Sequence, residues 1–167
     1  MSMIGEVGVV FGCTDPRLYK ATTYLSHQYE ELLGVSWVIP IFRPGIVGLY
    51  VKPGVVGEPF HPHGRRERGT NDARRIAIER EFSIHKGAHE PVRALLVAHS
   101  DCKGHPVDDA QQRQDAIMAA VNLQERLRCQ TGFTGEVLAA MLSHGVRGEW
   151  ALERIEAEHR EFKLRRA

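Results

Sequence analysis

Two short stretches carry residues whose types and spacing suit chemistry. In VVFGCTDPRLYK (9–20) a thiol, a carboxylate and a guanidinium occupy alternate positions: Cys13, Asp15 and Arg17. In VAHSDCKG (97–104) an imidazole and a second thiol, His99 and Cys102, stand three residues apart. Two thiolates, one imidazole and one carboxylate form a donor set for zinc, which takes S, N and O ligands tetrahedrally. A His-x-x-Cys pair spans about one turn, so both donors fall on one side of a tight loop. Each half alone has a plainer reading: Cys13 as buried apolar filler, Asp15 as the N-cap of a helix with Pro16 as its first residue, and Arg17 as an exposed cation.

Other cysteine chemistries fit less well. A tyrosine-phosphatase loop grips phosphate with an arginine six positions after its cysteine, where this chain has Tyr19. No Cys-x-x-Cys supports a thioredoxin-like redox role, and no glycine-rich phosphate loop follows a strand.

These residues need elements to position them. The chain of 167 residues suits one domain spanning 1–167. Its 22 Lys and Arg nearly balance 21 Asp and Glu, which argues against a nucleic-acid partner. The opening MSMIGEVGVVFG has neither a cationic region nor a long apolar core, and no apolar run approaches bilayer length, so neither a signal peptide nor a membrane span is expected. Three cysteines without a secretion signal point to a reducing cytoplasm.

Apolar runs alternate with helical patterns. IGEVGVVFG reads as a buried strand; Leu18, Ala21, Thr22, Leu25, Tyr29 and Leu32 make a helical stripe that Gly34 terminates; VSWVIPIF reads as a strand that Pro40 either places at an edge or bends early. Residues 43–69, dense in Gly and Pro and then basic, read as a long loop. A helix capped by Thr70 or Asn71 and stopped by Gly87 precedes VRALLVA, the clearest buried strand. Residues 108–128 form a long helix, acidic at its start and basic at its end. EVLAAMLSHGVRGEWALERI reads as a strand, a glycine turn and a return, and ERIEAEHREFKLRRA as an exposed helix. The expected fold is therefore α/β, a central and mostly parallel sheet flanked by helices. Sites in such sheets lie beyond the carboxyl ends of the strands, and both reactive stretches leave strands at that edge.

CTDPR followed by HSDC resembles the paired signature of the β-class carbonic anhydrases, Cys-x-Asp-x-Arg and His-x-x-Cys. The strands before each motif, the intervening helices and the late strand with its glycine turn extend the resemblance over roughly residues 4 to 150. It implies zinc held by Cys13, His99 and Cys102, with Asp15 and Arg17 as a dyad. In that family the Asp either ligates zinc or pairs with the Arg and leaves the fourth position to water. The implied activity is reversible hydration of carbon dioxide to bicarbonate by a zinc-bound hydroxide. Hydrolases of carbon disulfide or carbonyl sulfide, and non-catalytic zinc-binding relatives acting through assembly, share the signature. The segment FRPGIVGLYVKPG keeps the family's Arg43 and Gly45 without its Asn and Ala, Lys103-Gly104 replaces Gly-Gly, and the interval between motifs is longer. The first strand begins near Met1, without the helical arm that embraces a partner in most members. A homodimer or higher homo-oligomer is implied nonetheless, with GIVGLYV as the candidate replacement contact or, alternatively, ordinary core. In the basic loop, His61 and His63 are candidate proton shuttles or a second metal site, against a plain solvated loop. His27, His85, His89, His144 and His159 read as surface or core residues, Cys129 as a structural thiol, and His105 as part of a helix start before Pro106.

Overall fold

A computed structural model describes residues 5–14, 16–51, 65–144 and 150–155. Five strands form one sheet in the order β2-β1-β3-β4-β5. They are β1 (Val7–Gly12), β2 (Trp37–Phe42), β3 (Arg93–His99), β4 (Val137–His144) and β5 (Trp150–Arg154). The first four are mutually parallel, and β5 returns antiparallel to β4. The expected α/β architecture with a mostly parallel sheet is therefore present. β2 is an edge strand, one of the two readings of Pro40, since among the described residues it pairs with β1 alone.

The chain leaves β1 for β2 on one side, then crosses to β3 on the other. The sheet order thus reverses between β1 and β3, and their carboxyl ends flank a crevice. Period-two alternation sends successive strand residues to opposite faces. Val10, Leu95, Val97, Leu138, Ala140 and Leu142 join Leu25, Tyr29 and Leu33 of α1 (Pro16–Leu33) in one core layer. Val9, Phe11, Leu96, Ala98, Ala139 and Met141 build the other layer with α2 (Ile46–Tyr50), α3 (Arg65–His89) and α4 (Asp109–Thr131).

Several boundaries follow their local signals. Pro16 opens α1, and Gly34, at φ 64°, closes it in the left-handed region. Asp108 caps α4 by accepting from the Gln111 amide at 2.8 Å, and Gly132, at φ 74°, ends it. Other expectations need correction. The stretch from 43 to 69 is not one loop, because α2 forms within it and α3 starts at Arg65, before Thr70. Gly87 does not stop α3. A Cβ there would meet nothing within 4 Å, and the helix runs on to His89 before Glu90 turns to φ 50°. Glu153 and Arg154 belong to β5, Ile155 follows them buried and outside any helix, and residues 156–167 of the expected terminal helix lie outside the described residues. Most of GIVGLYV is core: Ile46, Val47, Leu49 and Tyr50 are buried, as its alternative reading as ordinary core has it.

Five residues cannot hold a helix by their own hydrogen bonds, and α2 is fastened by side chains from α3 and α4. Tyr50 donates its hydroxyl to Glu79 at 2.9 Å, and Arg126 grips both Glu79 oxygens at 2.7 and 2.8 Å. Asn122 donates to the carbonyls of Tyr50 and Val51, and Arg75 to that of Leu49. Glu79 is 3% exposed, so its carboxylate depends on these partners. Burial, reinforced by the Glu79 charge, pushes the Tyr50 phenol well above its ordinary range. Breaking such a buried pair costs about 3–5 kcal/mol, against about 1.5–3 kcal/mol for one hydrogen bond to a charge. Urea unfolding should therefore show Glu79→Ala losing more stability than Tyr50→Phe, with an unchanged denaturant slope in both.

Candidate metal centre

β1 and β3 lie side by side with Phe11 opposite Leu96, so their carboxyl ends emerge together. Cys13 follows the last residue of β1, His99 is the last residue of β3, and Cys102 sits three residues on. Asp101 takes a positive φ of 55°, which turns the chain back so that Cys102 faces the sheet end. The ligand atoms of Cys13, His99 and Cys102 all lie within 4.8 Å of one another, and the three residues are 8%, 2% and 5% exposed.

The Cys13 and Cys102 sulfurs are 3.8 Å apart, far beyond a disulfide bond. Two sulfurs each about 2.3 Å from a tetrahedral ion stand about 3.8 Å from each other, so the pair already has the edge length of such a site. His99 places Nδ1 at 2.8 Å from the Ser100 carbonyl. A carbonyl only accepts, so Nδ1 carries the proton and Nε2 presents its lone pair, the usual arrangement of a ligating imidazole. These residues are positioned to bind a metal ion.

Two glycines complete the cradle. The Gly45 amide donates to Cys13 Sγ at 3.5 Å, and the amides of Gly104 and His105 donate to Cys102 Sγ. Gly45 and Gly104 also touch each other. A Cβ on Gly45 would come within 2.7 Å of the Gly104 carbonyl oxygen, and one on Gly104 within 2.8 Å of the Gly45 amide nitrogen. Gly45 further requires φ 59°. The loop after β2 and the loop after β3 therefore meet backbone to backbone, where only glycine fits. Arg43 extends the β2 ladder past its end, donating its amide to Gly12 at 2.9 Å, while its guanidinium pairs with Glu81 of α3.

The other residues singled out from the sequence are distributed as follows. Asp15 lies outside the described residues, and Arg17 is described only as backbone in the first turn of α1, so the dyad is not seen as a pair. His61, His63 and His159 also lie outside them, as does the side chain of His144. His27 and His89 are exposed and His85 half-buried, each away from the cluster. Cys129 is exposed on the last turn of α4 beside Glu125, which corrects its reading as a structural thiol. A groove of about 300 Å3 between Ile76, Glu79, Arg80 and Ser83 of α3 and Gln130 and Thr131 of α4 shares no residue with the cluster. No helix among the described residues is long and apolar enough to cross a membrane. His105 is a residue the sequence reading missed. It lies half-buried beside the Cys102 loop, 2.6 Å from Asp115, and nothing in its local sequence announces that pairing.

The hydrogen bond with Cys13, then burial and the charge of that neighbouring sulfur, raise the Cys102 thiol above its ordinary range. Without a cation Cys102 is therefore held as the thiol at neutral pH, and metal uptake must displace its proton. A raised folded-state value means that the thiol stabilises the metal-free fold below its ordinary range of about 8.5, and that this contribution is lost as pH rises beyond it. Metal affinity runs the opposite way, weakening as pH falls. Titrating metal into weakly buffered protein with an indicator dye should show at least one proton released per ion. Gly45→Ala should weaken uptake, since it breaks both the left-handed backbone and the contact with Gly104.

No family model matches the chain, and no curated protein matches it.

Proposed function

We propose that the chain is a zinc enzyme resembling the β-class carbonic anhydrases, which hydrates carbon dioxide reversibly to bicarbonate. The observation that carries this reading is the preformed Cys13, His99 and Cys102 cluster at the reversal of the sheet order. Three protein ligands leave a fourth tetrahedral position for substrate chemistry, and zinc bound this way lowers the pKa of water to about 7.

The protein's own contribution is positional. The parallel pairing of β1 and β3 fixes the spacing of the ligands, and the Ser100 carbonyl fixes the tautomer of His99. Burial of all three ligands keeps the site dry, as a small apolar electrophile such as carbon dioxide requires. Charge supports an open fourth position. Two thiolates and a neutral imidazole balance a dication, so a neutral fourth ligand leaves the buried site uncharged, whereas the carboxylate of Asp15 would add an uncompensated charge. In this reading Asp15 pairs with Arg17 and accepts a hydrogen bond at that position. The protein acts in the cytoplasm as a homo-oligomer whose contact lies elsewhere than GIVGLYV.

Stopped-flow hydration of carbon dioxide by zinc-quantified protein, over about pH 6.5 to 9, tests this. Activity should rise with pH and vanish in Cys102→Ser. Zinc at one per chain with no hydration at any pH would sink the hydratase and leave the metal site standing. Carbonyl sulfide and carbon disulfide would be tried next, before a purely metal-binding role is accepted.

A further inference from the structure

The loop that carries Cys102 is clamped from outside the cluster. His105 lies three residues after Cys102, and its backbone amide faces both the Cys102 carbonyl, at 3.3 Å, and the Cys102 sulfur. Everything that fixes His105 therefore fixes a hydrogen-bond donor to that sulfur. Its ring Nε2 meets Asp115 Oδ2 at 2.6 Å. Its carbonyl accepts from the Gln112 side chain at 2.7 Å. Asp115 is held in turn by Gln111, which donates to its other oxygen at 2.7 Å. Gln112 is 1% exposed and Asp115 8% exposed, so these are buried polar groups with specified partners rather than surface contacts.

The opposite side of the ring is shaped to receive it. A Cβ on Gly48 would come within 2.8 Å of His105 Nδ1, so α2 approaches the imidazole at a residue with no side chain. The fastening of α2 by Glu79, Arg126 and Asn122 thus bears on the same ring. The α4 N-cap bond is a separate one, from the Gln111 amide to the Asp108 side chain.

Resting on the metal-site reading above, we infer that Asp115, acting through His105, is a positioning residue for the metal centre: it holds the Gly104 and His105 amides against Cys102 and so sets the donor strength of that sulfur. An N–H directed at a thiolate withdraws electron density from it. Loosening the clamp should therefore make Cys102 a more electron-rich ligand held in a less exact place. Asp115 touches neither metal nor substrate on this account.

Cobalt(II) as the probe metal separates this role from simple support of the fold. Its near-ultraviolet thiolate charge-transfer band moves to lower energy as the sulfur becomes more electron-rich. In Asp115→Ala this band should shift to longer wavelength, and cobalt affinity should fall by up to about 10-fold, the low end of what losing a direct outer hydrogen bond to a metal ligand costs, because Asp115 acts one residue further out. Asp115→Asn, which keeps shape and one acceptor, should lie between the two. If Asp115→Ala does not fold, the isosteric Asn variant carries the test. A folded variant with the band and affinity of the unaltered chain would overturn the positioning role while leaving the metal site intact. Failure of the unaltered chain to take up cobalt or zinc would overturn both.

Discussion

The contact between Gly45 and Gly104 is the constraint on which the rest of the site depends. Parallel strands β1 and β3 bring their carboxyl ends within reach, but strand pairing alone does not decide how the loops beyond them pack. Here the loop after β2 and the loop after β3 meet where no side chain intervenes, and each supplies an amide to one of the two sulfurs. Two thiols 3.8 Å apart in a dry environment are costly neighbours once ionised, since like charges at short range repel strongly where the dielectric is low. Amide dipoles offset part of that repulsion, and a dication offsets the remainder.

That glycine contact requires both loops to be stiff, and the stiffness comes from different sources. On the β2 side the short helix α2 is buttressed by Glu79 with Tyr50 and Arg126, and by Asn122 on its last carbonyls. On the β3 side the Ser100 hydroxyl donates to Asp109 at 2.9 Å, and the Ser100 amide donates to Leu142 of β4. Both sets of bonds are anchored in α3, α4 and β4, outside the cluster itself. Buried ionic groups contribute little net stability, because desolvation consumes most of what pairing provides. Their effect here is geometric: they fix where a marginal five-residue helix sits.

Much of this was legible in the sequence, and the rest was not, for physical reasons that differ by residue. Cys13, His99 and Cys102 could be read because each follows an apolar, strand-length run, and parallel strands deliver their ends to one edge. The helix α2 could not. IVGLY opens on two β-branched residues, carries a central glycine, and owes its conformation to residues 26 to 72 positions from the groups they hold (Arg75, Glu79 and Asn122). Gly87 looked like a stop because glycine costs a helix about 1 kcal/mol, but tertiary context carried α3 past it. The partnership of His105 with Asp115 joins a loop to a helix two turns in, and Asp115 reads locally as an ordinary polar position.

The donor set also narrows which ions the site can hold. Two thiolates and one imidazole are soft and borderline ligands, poorly matched to magnesium or calcium, which require oxygen. Selection among the softer ions must then come from geometry. A sulfur separation of 3.8 Å suits a tetrahedral ion of ordinary zinc–sulfur bond length. A square-planar ion holding the sulfurs at adjacent corners would shorten that separation to about 3.3 Å at the same bond length, and holding them at opposite corners would lengthen it to about 4.6 Å. The backbone approach of Gly45 and Gly104 thus sits beside a sulfur separation that fits a tetrahedral ion.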